Sequence, residues 1–253
     1  MEKIIAVANQ KGGVGKTTTS LNLAACLAEL GKKVLLIDMD PQGNATSGCS
    51  VNKVEQEKTV YELLLGELGI KECILKDVAG GISLIPSNVN LAAAEIELIG
   101  IEDKEYILKK EMEFIANDYD YIIIDCPPSL NTLTLNAMTT ADSVIVPIQC
   151  EYLALEGLSD LITTINLVKE RLNPKLNLEG IVFTMYDGRT NLANDVVKNV
   201  TQHFPDKVYE SKIPRTVRLS EAPSFGRPIT EYDPKSQGAE AYRALAREVA
   251  GVK

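Results

Sequence analysis

The sequence predicts an α/β fold, a mainly parallel, twisted sheet with helices on both faces. Three observations carry that expectation. Short apolar runs (Ile4 to Val7, Val34 to Ile37, Tyr121 to Ile124, Ser143 to Pro147) alternate with stretches of helical periodicity along the whole chain. Two of the runs end in aspartate, Asp38 and Asp125, and the C-terminal edge of an open α/β sheet is where such folds bind ligands. A glycine-rich stretch, Gln10 to Thr18, joins the first run to the first helical pattern.

That stretch reads Q-K-G-G-V-G-K-T-T. The helix after it has Leu23, Leu27 and Leu30 on one face. Strand, glycine turn and helix form the context of a phosphate-binding loop, so the fold class is refined to a P-loop NTPase. Gly12, Gly13 and Gly15 let the backbone adopt angles closed to other residues and approach a ligand. The N–H groups from Gly12 through Val14 to Thr18, with the helix N-terminus behind them, form a nest for anionic oxygens. Lys16 is placed to reach the outer phosphates and Thr17 to put its hydroxyl on Mg²⁺. A bare glycine turn with two solvated lysines is the bland alternative, and the flanking strand and helix argue against it. One position departs from the general pattern. Gln10 stands where the first glycine belongs, and a second lysine, Lys11, opens the loop.

Along the chain, Gly31 closes the first helix and Lys32-Lys33 lead into the second strand. It ends in Asp38-Met39-Asp40-Pro41-Gln42-Gly43-Asn44, two acids at a strand's C-terminal end; turn or capping acids are the ordinary alternative. Helices are expected over Thr59 to Leu65 and Leu91 to Leu98, and a strand over Gly81 to Pro86. Lys104 to Asn117 reads as one amphipathic helix. Tyr121 to Asp125, an apolar strand ending in an acid, has the Walker B arrangement, and Asp125 is expected to hold Mg²⁺ through water. Cys126-Pro127-Pro128 makes a stiff turn beside the γ-phosphate. The helix from Ala154 to Arg171 covers the sheet with Leu158, Leu161, Ile162 and Ile165. Strands follow at Gly180 to Thr184 and Val208 to Ile213, with Thr190 or Asn191 capping the helix between them. The last helix, Gly238 to Ala250, turns Tyr242, Leu245 and Val249 to the core and sets Arg243 and Arg247 near Glu240.

Composition bounds the rest. The chain has 253 residues, 45% hydrophobic and 24% charged, an ordinary globular balance, and no repeat or linker-like stretch, so one domain over residues 1–253 is expected. No run is long and apolar enough to span a bilayer, and no signal peptide is expected before Ile4. Five widely spaced cysteines form no zinc or redox motif and fit free thiols in a reducing cytoplasm. The single histidine, His203, is expected at the surface. Net charge of −9 argues against nucleic-acid binding, yet residues 181–253 carry eleven Lys/Arg against nine Asp/Glu, which permits a local basic surface.

K-G-G-x-G-K-T-T with Lys11, the D-x-D-P-Q-G-N segment and the Asp125 strand together resemble the deviant Walker A ATPases of the ParA/MinD family over nearly the full length. The resemblance is closest to the short chromosomal ParA group, also called Soj. It implies ATP hydrolysis with Mg²⁺. Lys11 would reach the nucleotide of the other subunit in an ATP-bound homodimer, Asp40 would orient the attacking water, and Asp38 would support the magnesium shell. Gln149 to Gly157 resembles a segment at the dimer face. Met185, Pro214 and Thr216 would border the adenine, and Arg189 and Arg218 would contact double-stranded DNA without sequence preference. The implied partner is a ParB-like DNA-binding protein that stimulates hydrolysis, and the implied location is the cytoplasm, on the nucleoid. No membrane partner and no added helix-turn-helix region are expected. A MinD-type membrane-associated positioning ATPase is the alternative, but residues 244–253 have few large apolar side chains for a membrane-binding helix. An iron–sulfur reductase lacks a second cysteine to accompany Cys126, an arsenite-pump type would carry two P-loops, and a ligase such as dethiobiotin synthetase would need a substrate pocket with no sequence counterpart here.

Overall fold

The computed structural model describes residues 3–152 and 154–252. In order, β1 (Lys3–Val7) enters the glycine turn and α1 (Lys16–Glu29), and β2 (Val34–Asp38) leads to α2 (Asn44–Gly48), α3 (Val60–Leu64) and α4 (Ile70–Cys73). A short pair, β3 (Leu75–Val78) and β4 (Ile82–Ile85), precedes α5 (Leu91–Glu97), α6 (Ile107–Met112), β5 (Tyr121–Asp125), α7 (Thr132–Thr140) and β6 (Ser143–Gln149). Then come α8 (Ala154–Arg171), β7 (Asn177–Tyr186), α9 (Asn191–His203), β8 (Val208–Pro214), α10 (Val217–Glu221), α11 (Ile229–Tyr232) and α12 (Gln237–Ala250).

The described strands form one sheet in the order β3-β4-β2-β5-β1-β6-β7-β8. Every pairing is parallel except β3 with β4 at the edge. Side-chain alternation divides the core between the two faces. Leu35, Ile37, Ile122 and Ile124 pack with Leu63, Leu133, Leu158 and Leu161 on one face. Val34, Leu36, Ile5, Val7 and Ile123 pack with Leu23, Leu27, Tyr242 and Leu245 on the other. Helices therefore cover both faces, and the central strands are apolar at successive positions because neither face meets water. The register that sets Asp38 opposite Asp125 and Val7 opposite Asp125 brings the acids and the glycine turn to one sheet edge.

The expected helix from Lys104 to Asn117 is broken into a 3-10 turn at Lys104–Tyr106, α6, and a second 3-10 turn at Glu113–Ile115. The cause of the first break lies on α7. Asn136 donates from Nδ2 to the Lys104 carbonyl at 2.8 Å, and its Oδ1 accepts from Leu108 N–H at 3.2 Å. Those two backbone groups are the partners of one i→i+4 bond, so the buried amide inserts itself into the ladder. The hairpin strand β3 and the short α2 and α4 carry too little periodicity to be expected. The C-terminal helix is docked as its pattern predicts: Tyr242, Leu245 and Val249 are buried, and Arg243 bonds Glu29 and Glu240. Among the described residues no helix is long and apolar enough to cross a membrane.

Candidate functional site at the C-terminal edge of the sheet

Between β1 and α1, Gly13 and Gly15 take left-handed backbone angles, φ 75° and 85°. Gly15 is the residue before α1, so the turn aims the helix's free N–H groups into the loop. The loop is braced from three sides. Asn9 accepts from Lys11 N–H at 3.0 Å through Oδ1 and donates to the Pro147 carbonyl at 2.8 Å. Thr184 donates to the Val14 carbonyl at 2.8 Å, and Gln149 donates to the Gly13 carbonyl at 2.8 Å. Gly12 meets nothing that a side chain would strike, and Val14 is buried.

The two lysines of the loop are placed differently. Lys16 is buried and donates from Nζ to the Lys11 carbonyl at 3.0 Å, folding its ammonium back across the loop. Burial lowers its pKa, opposed by the charges of Asp125, Cys126 and Asp40. Lys11 instead projects outward, half exposed, and pairs with Glu151 of the segment after β6. Leu153 of that segment lies outside the described residues.

Asp125 is fully buried at the end of β5. Ser20, one turn into α1, donates to its Oδ1 at 2.7 Å, whereas its Oδ2 has no hydrogen-bond partner. Burial raises its pKa first and the Asp38 carboxylate second, while the Ser20 and Thr17 hydroxyls oppose both. Asp38 is also fully buried, and burial raises its pKa against hydrogen bonds from Thr46 and Asp40. Its Oδ2 accepts from the Thr46 N–H at 2.8 Å and hydroxyl at 2.7 Å, and its Oδ1 from Asp40 N–H at 3.1 Å. Asp38 thus fastens the turn that carries Asp40. The same turn needs Gly43: φ is 59°, and a Cβ there would lie 2.8 Å from the Ser87 carbonyl oxygen. Ser87 donates to the Asp40 carbonyl at 2.8 Å. The donor set here is oxygen throughout, and an orphaned buried carboxylate oxygen fits a hard cation such as Mg²⁺. No cluster of three or more His, Cys, Asp or Glu that could hold a metal ion is found among the described residues.

Beside the loop, a cavity of about 270 Å³ is lined by Gly15, Thr18, Met185, Pro214, Thr216 and Tyr242. Met185 holds φ 49°, an uncommon angle for a residue with a side chain, and its sulfur accepts from Gln149 at 2.8 Å. Thr216 caps α10 by accepting from Leu219 N–H. The two arginines stand away from this cavity at the surface. Arg189 forms a two-pronged pair with Asp187 at 2.8 and 2.6 Å, which holds the Asp187 carboxyl at about 2. Arg218 pairs with Glu221 at 3.2 Å and Asp233 at 3.4 Å.

The structure therefore brings Lys16, Thr17, Asp38, Asp40 and Asp125 together around the glycine loop, sets Met185, Pro214 and Thr216 on one adjoining cavity, and leaves Lys11, Arg189 and Arg218 outward. Sequence reasoning missed Asn9, Ser20, Thr46 and Ser87. Only Ser20 carried a signal, lying one helical turn after Lys16 on the face toward the sheet.

A phosphate-type loop after the first strand, with buried acids ending two neighbouring parallel strands, defines the P-loop ATPase class. Residues 2–178 match the family described as an AAA domain. The chain is 55% identical over 250 residues to the sporulation initiation inhibitor protein Soj of Bacillus subtilis, covering 99% of each. It is 51% identical over 249 residues to the chromosome partitioning protein ParA of Caulobacter vibrioides, covering 98% of this chain and 93% of that one. Among solved structures, it superimposes with a TM-score of 0.88 and 40% identity on the Mycobacterium smegmatis protein described as cobyrinic acid a,c-diamide synthase, with ADP and magnesium bound, covering 99% of this chain and 94% of the other. The chain belongs to the ParA/Soj family of chromosome-partitioning P-loop ATPases.

Proposed function

We propose that this protein is an ATP-hydrolysing switch for chromosome or plasmid partitioning. Mg²⁺ and ATP close two copies into a sandwich dimer, the dimer binds double-stranded DNA without sequence preference, and a ParB-type partner stimulates slow hydrolysis and release. One observation carries the reading. Lys16 is folded into its own loop, whereas Lys11 is turned outward and held by the single carboxylate of Glu151. A second cation aimed away from its own phosphate nest is suited to a neighbour's nucleotide. Partition proteins at 51–55% identity favour this role over the amidation chemistry named for the 40%-identical relative.

In this reading the N–H groups of Gly12, Gly13, Val14, Gly15, Thr17 and Thr18 and the Lys16 ammonium take the phosphates. Thr17 and Asp125, with Asp38 behind them, hold Mg²⁺, which neutralises charge on the transferring phosphoryl group. Asp40, fixed by Asp38 and Ser87, orients the attacking water. Met185, Pro214 and Thr216 wall the adenine by shape. Arg189 and Arg218 contact DNA phosphates, which places the ATP form on the nucleoid.

The test compares ATP turnover, light scattering and DNA retention for wild type, Lys11→Ala, Lys16→Ala and Asp40→Ala. Lys16→Ala is expected to lose nucleotide binding. Lys11→Ala is expected to bind ATP as a monomer, and Asp40→Ala to accumulate as a DNA-bound ATP dimer. A Lys11→Ala protein that dimerises and turns over like wild type would end this reading.

A further inference from the structure

Away from the nucleotide edge, α3, α5 and the turn into α6 enclose a groove of about 550 Å³. Its floor is apolar: Leu64, Leu65, Leu98, Ile101 and Ile107. Tyr61 donates to Glu97 at 2.9 Å and closes one wall. Beside it the surface stays apolar, with Ile96 72%, Ile99 69% and Ile101 52% exposed. An apolar surface of this kind on a soluble chain marks a contact site. Its rim is acidic. Residues 60–68 and 95–112 carry eight acids against three lysines, Lys104, Lys109 and Lys110, the last of which pairs with Asp103 at 3.7 Å.

We propose that this groove docks a basic amphipathic helical segment of a partner protein. Apolar anchors at helical spacing would fill the floor, and lysines or arginines on the flanks would meet the rim. A second copy of this chain is a poor match, because its net charge is −9 and the rim is itself acidic.

The groove is wired to the nucleotide edge from both walls. At the start of α3, Val60 N–H donates to the Pro86 carbonyl at 2.9 Å, and the next residue, Ser87, holds Asp40. On α5, Glu95 accepts from Asn131, the N-cap of α7. Asn131 in turn accepts from Thr134 N–H at 3.2 Å, and Thr134 donates to the Ser129 carbonyl at 2.5 Å, in the loop after Asp125. An occupant that shifts α3 against α5 moves both loops. The regulatory half of this inference rests on the function proposed above; the docking half does not.

The experiment uses the full chain with a synthetic Lys/Leu peptide of amphipathic helical period, and a scrambled peptide of the same composition. Amide exchange is followed with Ile101→Lys and Glu67→Lys as two independent variants, both at exposed positions. The amphipathic peptide is expected to protect residues 61–67 and 96–101 and to change ATP turnover. The scrambled peptide is expected to do neither. Each variant is expected to weaken binding by about tenfold, the effect of one lost apolar anchor or one reversed charge at a rim, with basal turnover unchanged. Equal binding of the scrambled peptide, protection elsewhere, or loss of a self-associated species in the variants would overturn the docking site. Protection without any change in turnover would overturn its regulatory role, and a chain with no turnover at all would count against the proposed function while the exchange pattern still reports on the groove.

Discussion

Gly226→Ala probes how the turn after α10 is locked to the turn after α2. Gly226 and Ser50 meet with both residues in left-handed backbone, φ 65° and 60°. Ser50 Oγ donates to the Gly226 carbonyl at 2.8 Å. A Cβ on Gly226 would lie 2.5 Å from Ser50 Oγ, 2.9 Å from its Cα and 3.1 Å from its N. The left-handed angle costs an alanine about 1–2 kcal/mol, and overpacking against backbone adds about 1–3 kcal/mol. The variant is therefore expected to lose about 2–5 kcal/mol, a fall in Tm of about 4–20 °C for a chain of this size. Ser50→Gly relieves its own left-handed strain and loses a hydrogen bond worth about 1 kcal/mol, so alone it is expected to be near neutral. Combined with Gly226→Ala it removes the nearest clashing atom but not the Cα and N contacts, so about 1 kcal/mol of the loss is expected back. Urea unfolding of all four proteins reads this cycle. Thr46 of α2 bonds Asp38, and residues 222–226 follow Arg218 through the 3-10 turn, so the same variants are expected to weaken the dependence of DNA retention on ATP. A Gly226→Ala protein within about 0.5 kcal/mol of wild type, or strict additivity in the cycle, would refute the reasoning.

Burial pushes the thiols of Cys26 and Cys73 up to about 12 and that of Cys150 up to about 11, and raises those of Cys49 and Cys126 further. Titration with a thiol reagent near neutral pH is expected to find only Cys150 reacting, and slowly, until urea exposes the other four; rapid modification of two or more native thiols would contradict this packing. Asp187 holds Arg189 in a two-pronged pair, so Asp187→Asn is expected to tighten DNA binding by the ATP form, and Arg189→Ala to reduce the logarithmic salt slope by about 2 per dimer. An unchanged slope would remove Arg189 from the DNA surface. ATP at about 100 times its Kd stabilises a binding protein by about 2.7 kcal/mol. That thermal shift is expected to vanish with a chelator or in Asp125→Asn, and its persistence in both would take the metal role from Asp125.

The sequence made the phosphate loop and the two acids legible for one reason: each depends on contiguous residues. Glycines before a lysine, or an apolar run before an aspartate, are written in order along the chain. The bracing of the site is not. Asn9 reaches Pro147, Thr184 reaches Val14, and Ser87 reaches Asp40, and each contact follows from strand order rather than local pattern. The same holds for the broken helix after Lys104. Its periodicity is helical, but a single amide from α7 takes the ladder's own groups. The edge strand β3 escaped notice because Leu75–Val78 is short, half exposed and antiparallel, with no alternating pattern long enough to register.

The charges at the site bear on how the proposed switch would exchange its nucleotide. Asp38 and Asp125 are buried side by side on neighbouring strands, and one oxygen of Asp125 has no partner. Burial and the Asp38 carboxylate both raise the pKa of Asp125, so the pair resists carrying two charges at once. The fold keeps that cost because Asp38 is also the anchor of the Asp40 turn, so the acid cannot be dispensed with. A divalent cation relieves the repulsion, yet the triphosphate that arrives with it brings negative charge that Lys16 alone does not balance. The other lysine of the loop, Lys11, is occupied by Glu151 on its outer side. In the reading proposed above, the bound state within one chain is short of positive charge, and a second chain offering its own Lys11 would supply it. Removing the γ-phosphate by hydrolysis lowers the demand again. Under the proposed function the outward lysine and the orphaned carboxylate oxygen would be two halves of one switch, the oxygen selecting the metal and the lysine the partner.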